Sequence, residues 1–153
     1  MPTHSAGLLL YRMRDGALEV LLAHPGGPYW QRKDRGSWSI PKGEASEGEE
    51  LLAAARREFQ EETGATADGP ALALGHVRMK SGKLVHAWAV EGDFDIARLC
   101  SNTFELEWPR GSGVHRSFPE VDRAAWFTLD EARRHILPAQ APLLDTLASA
   151  LAG

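Results

Sequence analysis

Between Ser46 and Gly64 the chain reads as an amphipathic helix that carries two carboxylates on the face it has to bury. Leu51, Leu52, Ala55 and Phe59 recur at helical spacing, Ser46 and Glu49 stand as the two ends of a capping box, and Gly64 supplies a stop. The pattern predicts a helix over Glu47 to Thr63. On a wheel that advances roughly 100° per residue from Leu51, the residues Ala55, Phe59 and Leu52 fall at about 40°, 80° and 100°. Glu62 and Glu58 fall at about 20° and about minus 20°, inside or beside that arc, and Glu61 flanks it at about minus 80°. A lone carboxylate in a dry site costs several kcal/mol or gives up its charge, so the pattern needs a cation, a partner or a solvent-filled cleft.

The i, i+3, i+4 spacing of Glu58, Glu61 and Glu62 lets all three point into one small volume. Carboxylates crowded in this way repel one another, and a hard divalent cation such as Mg2+ or Mn2+ resolves the conflict. A second reading stands beside this one: Arg56 and Arg57 neutralise the glutamates, and the end of the helix is a solvated, salt-bridged surface.

Around this helix the chain alternates hairpins with separate helices. Gly7 to Arg12 and Leu18 to Ala23 are apolar runs flanking Arg14-Asp15-Gly16, and Ala71 to Met79 and Leu84 to Val90 flank Lys80-Ser81-Gly82-Lys83, so each pair predicts a hairpin. Trp38 to Ile40 reads as a short strand stopped by Pro41, Phe104 to Trp108 alternates as a strand, Pro109 to Arg116 is a loop and Ala124 to Thr128 is a strand. A helix opens at Thr128, is interrupted at Pro138, and Ala141 to Leu151 adds a last amphipathic segment. This order indicates an α/β (α+β) sandwich. With 153 residues, 43% hydrophobic and 25% charged, the expectation is one domain over 1–153.

The net charge of -4 argues against an extended nucleic acid as partner, because such binding usually comes with a basic face. A small phosphorylated ligand remains compatible, held by a metal ion and a few local cations. No run approaches the roughly 18 apolar residues of a membrane span, and Met1 to Ser5 lacks the start of a signal peptide, so no membrane partner and a cytoplasmic location are expected. Cys100, the single cysteine, has no disulfide partner and reads as a small buried apolar side chain. The six histidines show no mutual ligand spacing and read as packing or surface residues.

From Gly43 the chain runs five residues to Glu49, then seven to Arg57-Glu58-Phe59-Gln60-Glu61-Glu62-Thr63-Gly64-Ala65. This resembles the signature box of the Nudix hydrolase family at all seven of its glycine, arginine and glutamate positions, with Phe59 and Ala65 in slots that more often hold aliphatic residues. The resemblance implies an α/β/α sandwich with a mixed, mostly antiparallel sheet. It implies a pyrophosphohydrolase that uses Mg2+, with Mn2+ able to substitute, on a nucleotide-like substrate. Glu58, Glu61 and Glu62 would hold the metal with the Gly43 carbonyl, Arg57 would orient a glutamate, and Glu49 would have a structural or outer-shell role. Glu120, ahead of Trp126-Phe127, occupies a place from which a family glutamate can reach the metal, and it is a candidate metal ligand or general base, with Glu58 and Glu61 as rivals for the base. Lys42 stands open between a phosphate contact and a surface lysine.

Substrate choice lies outside the box. Pro41-Lys42-Gly43 resembles the lead-in of members acting on dinucleoside polyphosphates or diphosphoinositols, whereas Lys80-Ser81-Gly82 stands where many dinucleoside polyphosphate hydrolases carry a tyrosine. Ser101 to Pro109 followed by Phe118-Pro119-Glu120-Val121-Asp122 resembles a bacterial subgroup of predicted NTP pyrophosphohydrolases. Trp30, Trp38, Trp88 and Trp108 are candidate base-stacking platforms or core residues. The superfamily also implies two alternatives, an isomerase and a catalytically silent ligand-binding or regulatory module; the complete glutamate set argues against the silent module.

Overall fold

The computed structural model describes residues 4–152. Its organising element is β1 (His4–Arg14), in which Ser5 to Leu10 are all buried. Alternate residues of a strand point to opposite faces, and β1 uses both faces for apolar packing. Ala6, Leu8 and Leu10 join one core cluster, and Leu9 joins the other. A tight turn with positive φ at Asp15 (51°) and Gly16 (82°) returns the chain as β2 (Ala17–Pro25), paired antiparallel to β1.

Along the edge of β1 that takes β2, residues Ser5 to Gly7 pair instead with the short β3 (Lys42–Glu44). On its other edge β1 runs parallel to β5 (Leu84–Glu91), which forms a hairpin with β4 (Ala71–Arg78). Antiparallel pairing of β2 with β8 (Val121–Thr128) completes a six-stranded sheet ordered β4-β5-β1-β2-β8, with β3 attached to β1. The sheet is thus mixed and mostly antiparallel.

Helix α1 (Leu51–Thr63) covers one face, where Ala54, Ala55 and Phe59 meet Leu8, Leu10, Leu21 and Val90. The opposite face is covered by α2 (Leu129–His135) and α3 (Ala141–Ala152), where Ala132, Leu143, Leu144 and Leu147 meet Leu9, Val20, Leu22 and Val85. Thr128 caps α2 by accepting from the Glu131 N–H.

Several local details differ from the sequence expectations, among them His115 and Arg116, which lie in a strand rather than in the loop expected over Pro109 to Arg116. The first helix begins at Leu51 rather than Glu47, because Gly48 (φ 77°) closes a separate turn in which the Glu49 N–H donates to the Ser46 carbonyl. Half of the capping box survives: the Ser46 N–H donates to Glu49 Oε1 at 2.9 Å. Leu52 is only half-buried, and Ala54 and Thr63 take up the inward positions beside Ala55 and Phe59. Trp38 to Ile40 is no continuous strand but two isolated bridges, Ala23 with Ser39 and Trp38 with Ile136, since the Ile40 N–H is taken by the buried side chain of Gln140.

Cys100 is exposed, not buried. What packs there is main chain: the Cys100 N–H donates to the Thr63 carbonyl at 2.9 Å and the Asn102 N–H to the Glu61 carbonyl at 2.8 Å. These bonds satisfy carbonyls that the end of a helix leaves without intrahelical partners. They also tie to α1 a hairpin outside the main sheet, β6 (Thr103–Glu107) with β7 (His115–Pro119). Phe59 is the large side chain on which α1 seats, at 1% exposure. Phe59→Ala should lower unfolding free energy by about 3–5 kcal/mol in a urea titration, and a loss below about 1 kcal/mol would mean that α1 does not depend on this contact.

Candidate active site

Three elements meet beside the last two turns of α1. β3 brings Lys42 and Gly43, α1 brings Glu58, Glu61 and Glu62, and the turn between β7 and β8 brings Glu120, around a cleft of about 370 Å³. Lys42, Glu62 and Glu120 also line an adjoining lobe of about 230 Å³ that extends to Pro25 and Ser39. Each site residue expected from the sequence other than Arg57 therefore borders one continuous depression. Glu44, Asn102 and Thr103 line it as well; nothing in their residue types marked them, because the topology of the hairpin puts them there.

Arg57 lies alongside and is saturated. Its Nε and Nη2 donate to the two oxygens of Glu49 at 2.9 and 3.0 Å, and Nη2 also reaches the Glu44 carbonyl at 3.1 Å. Nη1 donates to Glu58 Oε1 at 2.9 Å and to both Glu61 oxygens at 3.1 Å. Glu49 in return holds the guanidinium well above its ordinary pKa, helped by Glu61 and Glu58, and Arg57 draws the Glu49 carboxyl down to about 2. Arg56 turns away to the carbonyls of Ala67 and Gly69, so it neutralises none of the glutamates.

The deeper carboxylates are in the opposite condition. Burial, opposed by the Lys42 N–H and ammonium and reinforced by Glu58 and Glu120, pushes Glu62 up from 4.5 to about 8. Burial first, then the charge of Glu61, raises Glu58 despite its bond to Arg57. The Glu58 side chain is 13% exposed against 38% for Glu61, which explains why desolvation falls on the former. Lys42 is pushed down by burial, with the attraction of Glu62 opposing. Its N–H donates to Glu62 Oε1 at 3.3 Å. At Gly43 a Cβ would overlap the Glu58 carboxylate, so only glycine lets β3 come this close to the helix.

Glu120 is placed by main-chain bonds. Its N–H donates to the Asn102 carbonyl at 2.8 Å, and its carbonyl accepts from the Gly26 N–H at 2.9 Å. Among the described residues no three His, Cys, Asp or Glu side chains stand close enough to hold an ion as they are, because Arg57 engages Glu58 and Glu61 while Glu62 faces Lys42. Sequence spacing also did not foresee that His4, His76 and His86 gather on neighbouring strands, with His4 Nδ1 2.8 Å from His86 Nε2. That group lies outside the cleft.

A carboxyl raised from 4.5 to about 8 keeps its proton in the folded chain where the unfolded chain has lost it. Between those values the folded state binds more protons, so stability falls as pH rises. Metal-free protein should therefore lose thermal stability from pH 4.5 towards pH 8, and Glu62→Gln should flatten most of that decline. Melting curves in metal-free buffer measure this; an unchanged slope in the variant would remove Glu62 as its source.

The NUDIX domain model matches residues 1–147 of the chain. Over 52 residues the chain is 48% identical to an RNA pyrophosphohydrolase of Caulobacter vibrioides, a match taking in 31% of this chain and only 30% of that relative's length. The fold is similar to that of an Ap4A hydrolase of C. elegans in a binary complex, with a TM-score of 0.70, 24% identity and coverage of 97% of this chain and 98% of that one. It is similar also to the NUDIX domain of Shewanella oneidensis NrtR complexed with ADP ribose, with a TM-score of 0.67, 17% identity and coverage of 99% and 89%. At these identities the structural likeness speaks for the fold alone, whereas the match over 1–147 gives the kinship: the chain belongs to the NUDIX domain family.

Proposed function

We propose that this chain is a divalent-metal-dependent pyrophosphohydrolase acting on a nucleoside diphosphate linked to another moiety, with a nucleoside triphosphate or a dinucleoside polyphosphate as substrate. The observation that carries the proposal is the convergence of Glu58, Glu61, Glu62 and Glu120 with Lys42 in one cleft. Family membership supports it, as do a relative named an RNA pyrophosphohydrolase and a structural neighbour named an Ap4A hydrolase.

The donor set fits Mg2+, with Mn2+ as substitute. All the groups are hard oxygens, and Glu58 and Glu62 are disfavoured as anions by burial first and then by neighbouring carboxylates, Glu61 and Glu120 for the former and Glu58 and Glu120 for the latter, a cost that a cation relieves. Glu58, Glu61, Glu62 and Glu120 would hold the ion with the Gly43 carbonyl. Each carboxylate has lone pairs beyond those that Arg57 uses. The chemistry such an ion would supply is neutralisation of charge on the diphosphate and polarisation of the phosphorus.

The chain's own groups supply the rest. Arg57 keeps Glu58 and Glu61 from swinging into solvent. The Lys42 ammonium, confined at the cleft wall, pairs with a phosphate oxygen. Glu120, delivered from a different element than the helix, takes the proton of the attacking water; Glu58 and Glu61 are its rivals for that role. Water adds its hydroxyl to phosphorus, the bridging P–O bond breaks, and the proton leaves with the departing phosphate. This chemistry asks mainly for positioning and charge stabilisation, which is what the cleft offers.

Hydrolysis of a nucleotide panel should stop in excess EDTA and return with Mg2+. Glu58→Gln or Glu62→Gln should lower kcat about 100-fold or more at unchanged circular dichroism. Full turnover in EDTA or in either variant would end the metal-site proposal. Glu120→Gln should depress kcat by about 100-fold or more while moving KM little, because a base acts in the transition state. Wild-type kcat in that variant, at saturating substrate and metal, would return the role to the helix.

A further inference from the structure

The cleft continues past the carboxylates. Its second lobe runs by Glu120 to Pro25, where a loop over residues 26–36 begins. Besides the Gly26 to Glu120 bond, a Cβ at Gly26 would collide with the Pro119 carbonyl, so the loop leaves the cleft pressed against the turn that carries Glu120. Its far end is pinned too. The ring of buried His24 is hydrogen-bonded to the Lys33 carbonyl at 2.6 Å and to Asp122 at 2.7 Å, and Trp38 Nε1 donates to Asp34 at 2.8 Å. A loop tied at both ends has little freedom left to lose when a ligand arrives.

The loop presents Tyr29 and Trp30, which are 53% and 36% exposed, more than any other Tyr, Trp or Phe among the described residues. Tyr29 meets Trp108 of the β6–β7 hairpin edge to face, with centroids 5.3 Å apart and planes at 82°. An edge-to-face contact with one ring covers at most one face of Tyr29, and the residue keeps 53% of its surface exposed. The loop itself is net positive, with exposed Arg32, Lys33 and Arg35 against Asp34, whereas on the hairpin Arg110 and Arg116 are balanced by Glu105 and Glu107. Three residues separate Pro25 from Tyr29, so four steps along the chain reach at most ~14 Å, comparable with the length of a nucleotide from phosphate to base. Of the tryptophans considered as platforms, Trp38 is 4% exposed and Trp88 packs against the α1 side of the core, which leaves the corner at Tyr29, Trp30 and Trp108.

We infer that the open face of Tyr29, braced by Trp108, is a nucleobase-stacking subsite for the substrate whose diphosphate lies among the carboxylates. Stacking tolerates any base, so the subsite selects nucleotides over base-free diphosphates rather than one nucleotide over another. The inference rests on the hydrolase reading of the cleft, and the test separates the two. Binding is measured by calorimetry with Mg2+ for two probes that cannot be hydrolysed, α,β-methylene-ADP and methylenediphosphonate, the second lacking a base. Tyr29→Ala should weaken the first about 5- to 100-fold and leave the second unchanged, and Tyr29→Phe should bind both as wild type does. Equal affinity of wild type and Tyr29→Ala for α,β-methylene-ADP, or equal weakening of both probes, would overturn the subsite while leaving the diphosphate site in place. A wild-type protein that binds neither probe would overturn both.

Discussion

The guanidinium of Arg57 joins two parts of the chain that would otherwise repel each other. The turn before α1 contributes Glu49, the end of β3 contributes the Glu44 carbonyl, and the helix contributes Glu58 and Glu61, so each of these groups facing the side chain is an acceptor. A planar fork with five N–H donors can meet acceptors from several directions at once; an ammonium in the same place would be a point charge with three. Once Arg57 is seated, the turn at Gly48 is locked against the helix, β3 is held where Gly43 can lie on the Glu58 carboxylate, and the remaining carboxylates face inward.

A second constraint runs entirely through main chain. The carbonyls of Glu61 and Thr63 accept from Asn102 and Cys100, the Asn102 carbonyl accepts from Glu120, and the Glu120 carbonyl accepts from Gly26. The end of α1, the hairpin and the aromatic loop are thus linked by successive peptide groups. Glu120 holds its position relative to Glu62 without any side-chain contact of its own being required, so the acidic cleft and the loop beyond it share one frame of reference.

This difference between side-chain and main-chain ties decides what could be read from the sequence. The carboxylates of α1 were legible because a charge on an apolar arc is a conflict visible in residue types, and Arg57 and Gly43 followed from the box that surrounds them. The two hairpins were legible from their turns, and the sandwich from the alternation of elements. Tyr29, Asn102 and Glu44 were not, because nothing about a tyrosine, an asparagine or an exposed glutamate states which loop will be folded back beside it. Cys100 differs for the same reason: its type points to burial, whereas its main chain is what packs and its side chain is exposed. The helix starts at Leu51 although Ser46 and Glu49 form half of the capping pair, because Gly48 between them bends the chain into a separate turn.

β1 feeds both cores at once, with Leu8 and Leu10 on one side and Leu9 on the other, and shares one edge between β2 and β3. A slip of this strand by one residue would turn every side chain to the wrong layer. The same slip would shift β3 along the sheet and carry Gly43 off the Glu58 carboxylate. A chain paired out of register would therefore forfeit its packing and its acidic cleft together, and a compact misfold with a serviceable cleft has no place on the landscape of this sequence.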